Sequence, residues 1–213
     1  MAHINRLGAL GIGVEANAGT AVTPTHWIQV MSAPDVNDKY EYQPIETARG
    51  RVEKSQGQKL IKTSGEGSVE MILDDTISVI PFGIILGSVA SASAGGSLYD
   101  HTITVNNSNT AKTATLVLDR VLDTRTFPYS VLTGMDLKVS DGFATMKLDF
   151  KSQASATGTA SESYSTVNNF TFSELSAKFG VDVAAATSAN ATPLSGVDLS
   201  IKRDAEIVYE TGS

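Results

Sequence analysis

Apolar and polar positions alternate in several runs, and period-two alternation marks a half-buried strand. In 36–42, Val36, Tyr40 and Tyr42 share one face, and Asn37, Lys39 and Glu41 the other. In 67–73, Val69, Met71 and Leu73 oppose Ser68 and Glu70. Two further runs, 135–140 and 143–150, flank Asp141-Gly142. Asp-Gly between alternating runs is a strong hairpin signal. Here Met135, Leu137, Val139, Ala144, Met146, Leu148 and Phe150 form a dry face, and Asp136, Lys138, Thr145, Lys147 and Asp149 a wet one. Residues 197–203 alternate too, and 27–31, 101–105 and 113–119 read as shorter strands. Residues 170–183 are strand-like but irregular.

One stretch keeps helical spacing. Ile77, Ile80, Ile84 and Ile85 fall on a single apolar face. Asp74, Asp75 and Thr76 can cap its start, Pro81 is tolerable only near that start, and Gly87 is a good stop. These four isoleucines are the candidate core helix, covering the dry face of a sheet.

The intervening segments read as irregular. Residues 7–20 are glycine-rich and read as a flexible arm or turn. They contain Gly11-x-Gly13-x-x-Ala16, but nothing strand-like precedes it and 17–24 opposes a helix, so a dinucleotide site is not expected. Residues 88–97, 151–169 and 184–193 are small-residue or polar linkers. Pro44 ends clean strand pairing. Residues 46–65 carry Arg49, Arg51, Lys54, Lys59 and Lys62 against Glu46 and Glu53. They read either as a solvated hairpin or as an extended docking element, since a structureless loop of this length is usually functional.

Composition then narrows the classes. The 213 residues suit one domain, and 41% apolar residues suffice for a core. Sixteen Lys plus Arg against 23 Asp plus Glu gives a net charge of −7, which argues against gripping nucleic acid by its phosphates. No apolar run is long enough for a membrane helix, and the N-terminus lacks a signal-peptide pattern. There is no cysteine, so disulfides, zinc–cysteine sites and thiol nucleophiles are excluded. His3, His26 and His101 are too widely spaced for a metal motif. No Walker loop or Gly-x-Ser-x-Gly elbow occurs. No enzyme, cofactor or metal is expected. Asp74-Asp75 is better explained as a cap than as a cation site.

The order of features carries a resemblance. Residues 15–24, from Glu15 to Pro24, precede a strand, then a polar strand leads into Glu46-Thr-Ala-Arg-Gly-Arg. Gly65-Glu-Gly-Ser-Val-Glu follows, then the helix at 75–87, then Leu132 to Gly142. The chain resembles the tail tube protein (major tail protein) of long-tailed bacteriophages over most of its length. The resemblance implies a mainly β fold, an antiparallel β-sandwich or half-barrel with one flanking α-helix and long loops. It implies assembly into rings, hexameric in that family, that stack into a hollow tube whose inner sheets join into one β-barrel. Partners would be further copies of itself, tape-measure, baseplate or tail-tip and tail-terminator proteins, and DNA in non-specific transit, with no membrane. The location would be the virion tail, assembled in the bacterial cytoplasm.

On that reading the chain is one domain, 1–213, with an N-terminal arm at 1–24 and a docking loop at about 46–64. Glu70, Asp136, Asp149 and Asp198 are candidate lumen-facing residues, in a mixed lining shared with Lys138, Lys147 and Lys202. Arg49, Arg51, Glu53, Lys54 and Lys59 are candidates for inter-subunit or inter-ring contact. An alternative is a tail-completion, connector or decoration protein of related fold. A third reading, a secreted β-sandwich adhesin, draws on the Ser/Thr/Asn-rich strands and loops but is not favoured by the N-terminus, which lacks a signal-peptide pattern.

Overall fold

The computed structural model describes residues 8–46, 55–96, 98–107, 110–120, 122–174 and 176–205. Arg49, Arg51, Glu53 and Lys54 lie outside the described residues. The chain is mainly β, with antiparallel sheets and no closed barrel, an arrangement consistent with a β-sandwich. The strands are β1 (Ala9–Val14), β2 (His26–Ile28), β3 (Asp35–Glu46), β4 (Ser55–Ile72), β5 (Gly87–Gly95), β6 (Leu98–Val105), β7 (Ala114–Asp119), β8 (Thr124–Val139), β9 (Ala144–Gln153), β10 (Ala156–Thr157) and β11 (Val197–Lys202). Helix α1 (Val79–Leu86) follows β4, and a short α2 (Val183–Ser188) precedes β11.

Strand β8 organises the whole. Its first half pairs with β7 and β10, and its second half with β9 and β11. Two register shifts, opposite Ala114–Leu116 and at Leu132–Gly134, each insert an extra residue on β8. Bulges bend a strand and let it pass from one layer to another. At the first, Tyr129 adopts φ 54. The result is one half ordered β2-β1-β7-β8 and a second ordered β11-β8-β9-β4-β3. Their inner faces meet in a single core: Leu10, Ile12, Ile28 and Leu118 from the first, Val36, Met71, Met135, Met146, Leu148 and Phe150 from the second.

Helix α1 packs into this core. Ile77, Ile84 and Ile85 are buried in it, and Ile80 packs half-buried against it. Ile77 precedes the regular helix. Asp74 satisfies that turn, its Oδ1 accepting from the amides of Thr76 and Ile77. Asp75 turns away and binds Asn168 instead. Pro81 sits in the first turn, where its missing N–H costs least, and Gly87 closes the helix at φ 96.

Several segments that read as irregular are ordered strands. The glycine-rich 9–14 is no flexible arm: it is β1, paired on both sides and buried. Its glycines let the chain pack close, because a Cβ at Gly11 would lie 2.7 Å from the Pro24 side chain and one at Gly13 2.9 Å from the Thr23 carbonyl. The 88–97 linker is largely β5, hairpinned with β6 as a separate two-stranded sheet. Strand β3 runs past Pro44 to Glu46 as an edge strand, where proline is tolerated, and its pairing with β4 loses regular register between Pro44 and Glu46, as expected. Residues 170–174 and 176–182 form a 3-10 turn and coil with isolated bridges at Thr171 and Ala177, not a strand, and α2 takes Val183 and the start of the small-residue 184–193.

Candidate functional site

The second half-sheet has one dry face and one wet face. Register places the wet side chains in rows across its strands. One row runs Ser200 (β11), Asp136 (β8), Lys147 (β9), Glu70 (β4). A second begins Asp198, Lys138, Thr145, and a third runs Lys202, Gly134, Asp149, Ser68, Asp35. Glu70, Asp136, Asp149 and Asp198, from four strands, therefore share one solvent-facing surface. Opposite signs face each other across strands: Asp198 on Lys138, Lys147 between Asp136 and Glu70, Lys151 on Glu66. Lys147 Nζ lies 3.5 Å from Asp149 Oδ1, and Lys39 Nζ 3.2 Å from Glu66 Oε2. Such exposed pairs contribute only ~0–1 kcal/mol each. Their effect is to make the face densely charged, mixed in sign and strongly hydrated. An open cleft of about 400 Å³ crosses it, lined by Asp35, Glu66, Ser68, Thr133, Asp149 and Lys151.

The sheet ends on each side in a strand with a single strand neighbour, although on β3 the Val36 carbonyl already accepts from Arg120 at 2.9 Å. Among the described residues, β11 pairs only with β8, and β3 only with β4. Strand β9 accompanies β4 only as far as Ser64. From Thr63 outward to Ser55, β3 and β4 continue as a two-stranded arm. The expected 46–64 loop is thus, over 55–64, one strand of this hairpin, and Lys59 lies on it opposite Gln43. The arm exposes Tyr40, Tyr42, Ile45, Leu60 and Ile61, each between 42% and 56% accessible. An isolated two-stranded hairpin is marginal in water, and apolar side chains exposed on one make it a candidate contact surface. The β5–β6 hairpin is similar, with Leu98, Tyr99 and Val105 exposed.

Four contacts hold the frame behind this surface. At the β3 side, Asp38 accepts from the Ser155 amide and hydroxyl and sits 3.7 Å from Arg125. Asp123, with Asp38 adding to it, raises the Arg125 pKa above its ordinary value. At the helix end, the Asn168 side chain and amide hold the Asp75 carboxyl below its ordinary range. Tyr164 packs its ring on Trp27, and burial, then Glu162 and Asp119, push its phenol up.

The fourth was invisible in the sequence. Glu15 is 8% exposed. Its Oε1 accepts from the Thr115 hydroxyl at 2.8 Å and the Tyr129 amide at 2.9 Å. Its Oε2 accepts from the Gly19 amide at 2.8 Å and the Thr113 hydroxyl at 2.7 Å. It ties the loop after β1 to β7 and to the bend of β8. The only signal was a lone acidic residue closing an apolar–glycine run.

Among the described residues, no three His, Cys, Asp or Glu side chains stand close enough to hold a metal ion. None of the described helices is long and apolar enough to cross a membrane. No protein-family model matches the chain, and no curated protein matches it by sequence.

Proposed function

We propose that the chain is a structural subunit that polymerises through its own copies into rings and a hollow tube, as a phage tail tube protein does. The observation that carries this reading is the second half-sheet, ending on each side in a strand with a single strand neighbour and wet on one face. A sheet with free edges is a liability in a monomer and an asset where copies close a barrel. The wet face then lines the bore. Its hydrated, paired charges offer phosphates no basic track, so DNA slides without sticking. The β3–β4 arm, with its exposed tyrosines and isoleucines, reaches a neighbouring subunit or ring, and the basic 49–62 segment lies at its end in the sequence.

Negative-stain electron microscopy of the purified chain across a concentration series, with light scattering, tests the proposal. Stacked rings or hollow tubes support it. Single rings that never stack favour the connector reading, to which the exposed β5–β6 hairpin would lend a partner surface. Monomers throughout contradict both.

A further inference from the structure

The direction of each strand in the second half-sheet is fixed by its pairing. Neighbours in the order β11-β8-β9-β4-β3 are all antiparallel. Five alternating strands leave the two outermost, β11 and β3, running the same way. A rotation that generates a ring preserves strand direction relative to its axis. We propose that neighbouring copies join by a parallel seam, β11 of one copy beside β3 of the next. This deepens the assembly reading above and rests on it.

The two edges match. On the dry side β11 offers Leu199, 45% exposed, and β3 offers Tyr40 and Tyr42, 53% and 51% exposed. On the wet side β11 carries Asp198, Ser200 and Lys202, and β3 carries Asn37, Lys39 and Glu41. The seam continues the wet face charge to charge; on the dry side it brings Leu199 beside Asp38, whose carboxylate already accepts from the Ser155 amide and hydroxyl and lies 3.7 Å from Arg125.

The offset between the edges also fits. One row connects Lys202, the last residue of β11, to Asp35, the first of β3. Strand β3 thus starts at the level where β11 stops. Bringing a neighbour's Lys202 beside Glu41 displaces that copy by about six residues (41 − 35), or ~20 Å along the strands. Five strand spacings span ~24 Å across the sheet. The ratio corresponds to strands tilted by ~40°, inside the 35–45° typical of closed barrels. The contact is heterologous, one edge against a different edge, which is the kind that propagates around a ring.

The absence of cysteine permits a clean test. Asp198→Cys and Lys202→Cys are each mixed with single-cysteine variants at Asp35, Asn37, Lys39, Glu41 and Gln43, all checked for assembly by microscopy, then oxidised. The seam predicts dimers only in mixtures of a β11 variant with a β3 variant. The parallel sense predicts that Asp198→Cys couples best near Asn37 and Lys202→Cys best near Glu41, with the maxima in the same order along both strands. Maxima in reversed order, or β11 variants that cross-link with themselves, overturn the parallel seam. Assemblies that form without any β11–β3 cross-link overturn the seam and leave the tube reading standing. Absence of any assembly overturns both.

Discussion

Replacing Glu15 by glutamine is nearly isosteric and probes the chemistry of the buried carboxylate directly. Both oxygens face a backbone N–H, of Tyr129 and of Gly19. An amide has one oxygen, so one of those donors must meet an NH2 group. Thr115 narrows the choice. Its hydroxyl already accepts from the Val22 amide at 3.0 Å and so donates its proton to Glu15 Oε1. The glutamine oxygen therefore stays at the Oε1 position, and its NH2 turns toward Gly19 and Thr113. The Thr113 hydroxyl can rotate to accept; the Gly19 amide cannot. An orphaned donor costs ~1–3 kcal/mol, and Gly19 is exposed enough that water recovers part of it, giving ~1 kcal/mol. The remaining bonds lose their ionic character, worth about another 1 kcal/mol. Their sum, about 2 kcal/mol, lowers Tm by ~4–8 °C in a domain of this size. Urea denaturation measures the stability, and amide exchange should show Gly19 deprotected while Tyr129 stays protected. A Glu15→Gln protein within about 0.5 kcal/mol of the parent, with Gly19 unchanged, would refute the reasoning.

Three further outcomes follow from other parts of the molecule. Ile84→Ala opens a cavity beneath α1 and should cost ~2–4 kcal/mol in urea midpoint analysis; an unchanged midpoint would place Ile84 outside the core. Deleting 50–60 removes 55–60, which among the described residues pair with β3 alone, so Tm should hold while assembly in the microscope is lost; normal tubes would exclude the arm from docking. Asn168 lowers the Asp75 pKa, so its stabilisation is present above the ordinary carboxylate range and fades as pH falls through the depressed folded value. The stability gap between parent and Asn168→Ala should accordingly shrink from neutral pH toward acid, whereas a gap constant with pH would contradict an ionised Asp75 as the partner.

What could be read from the residues depended on which side chains signalled burial. The alternation at 67–73 and across the Asp141-Gly142 hairpin was legible because each strand has one wet face, and burial there forbids a slip of register. The same alternation put Glu70, Asp136, Asp149 and Asp198 on polar faces; only the pairing showed that those faces are one. Strand β1 was hidden because Gly11 and Gly13 look like flexibility, whereas here they make room for Pro24 and Thr23. Strand β5 is built from serine and alanine and is mostly exposed, so it shows no apolar period. Residues 55–63 carry lysines and a glycine, and among the described residues β3 alone pairs with them. Glu15 needed tertiary structure, since Thr113, Thr115 and Tyr129 lie about a hundred residues away along the chain.

A cryo-electron microscopy reconstruction of the assembled chain tests the central claim most directly. The account predicts a ring with an open bore lined by the wet face of β11, β8, β9 and β4, with Glu70, Asp136, Asp149 and Asp198 turned to the lumen and α1 on the outer wall. An assembly that turns this face to the exterior, or buries it between subunits with no bore, would contradict it.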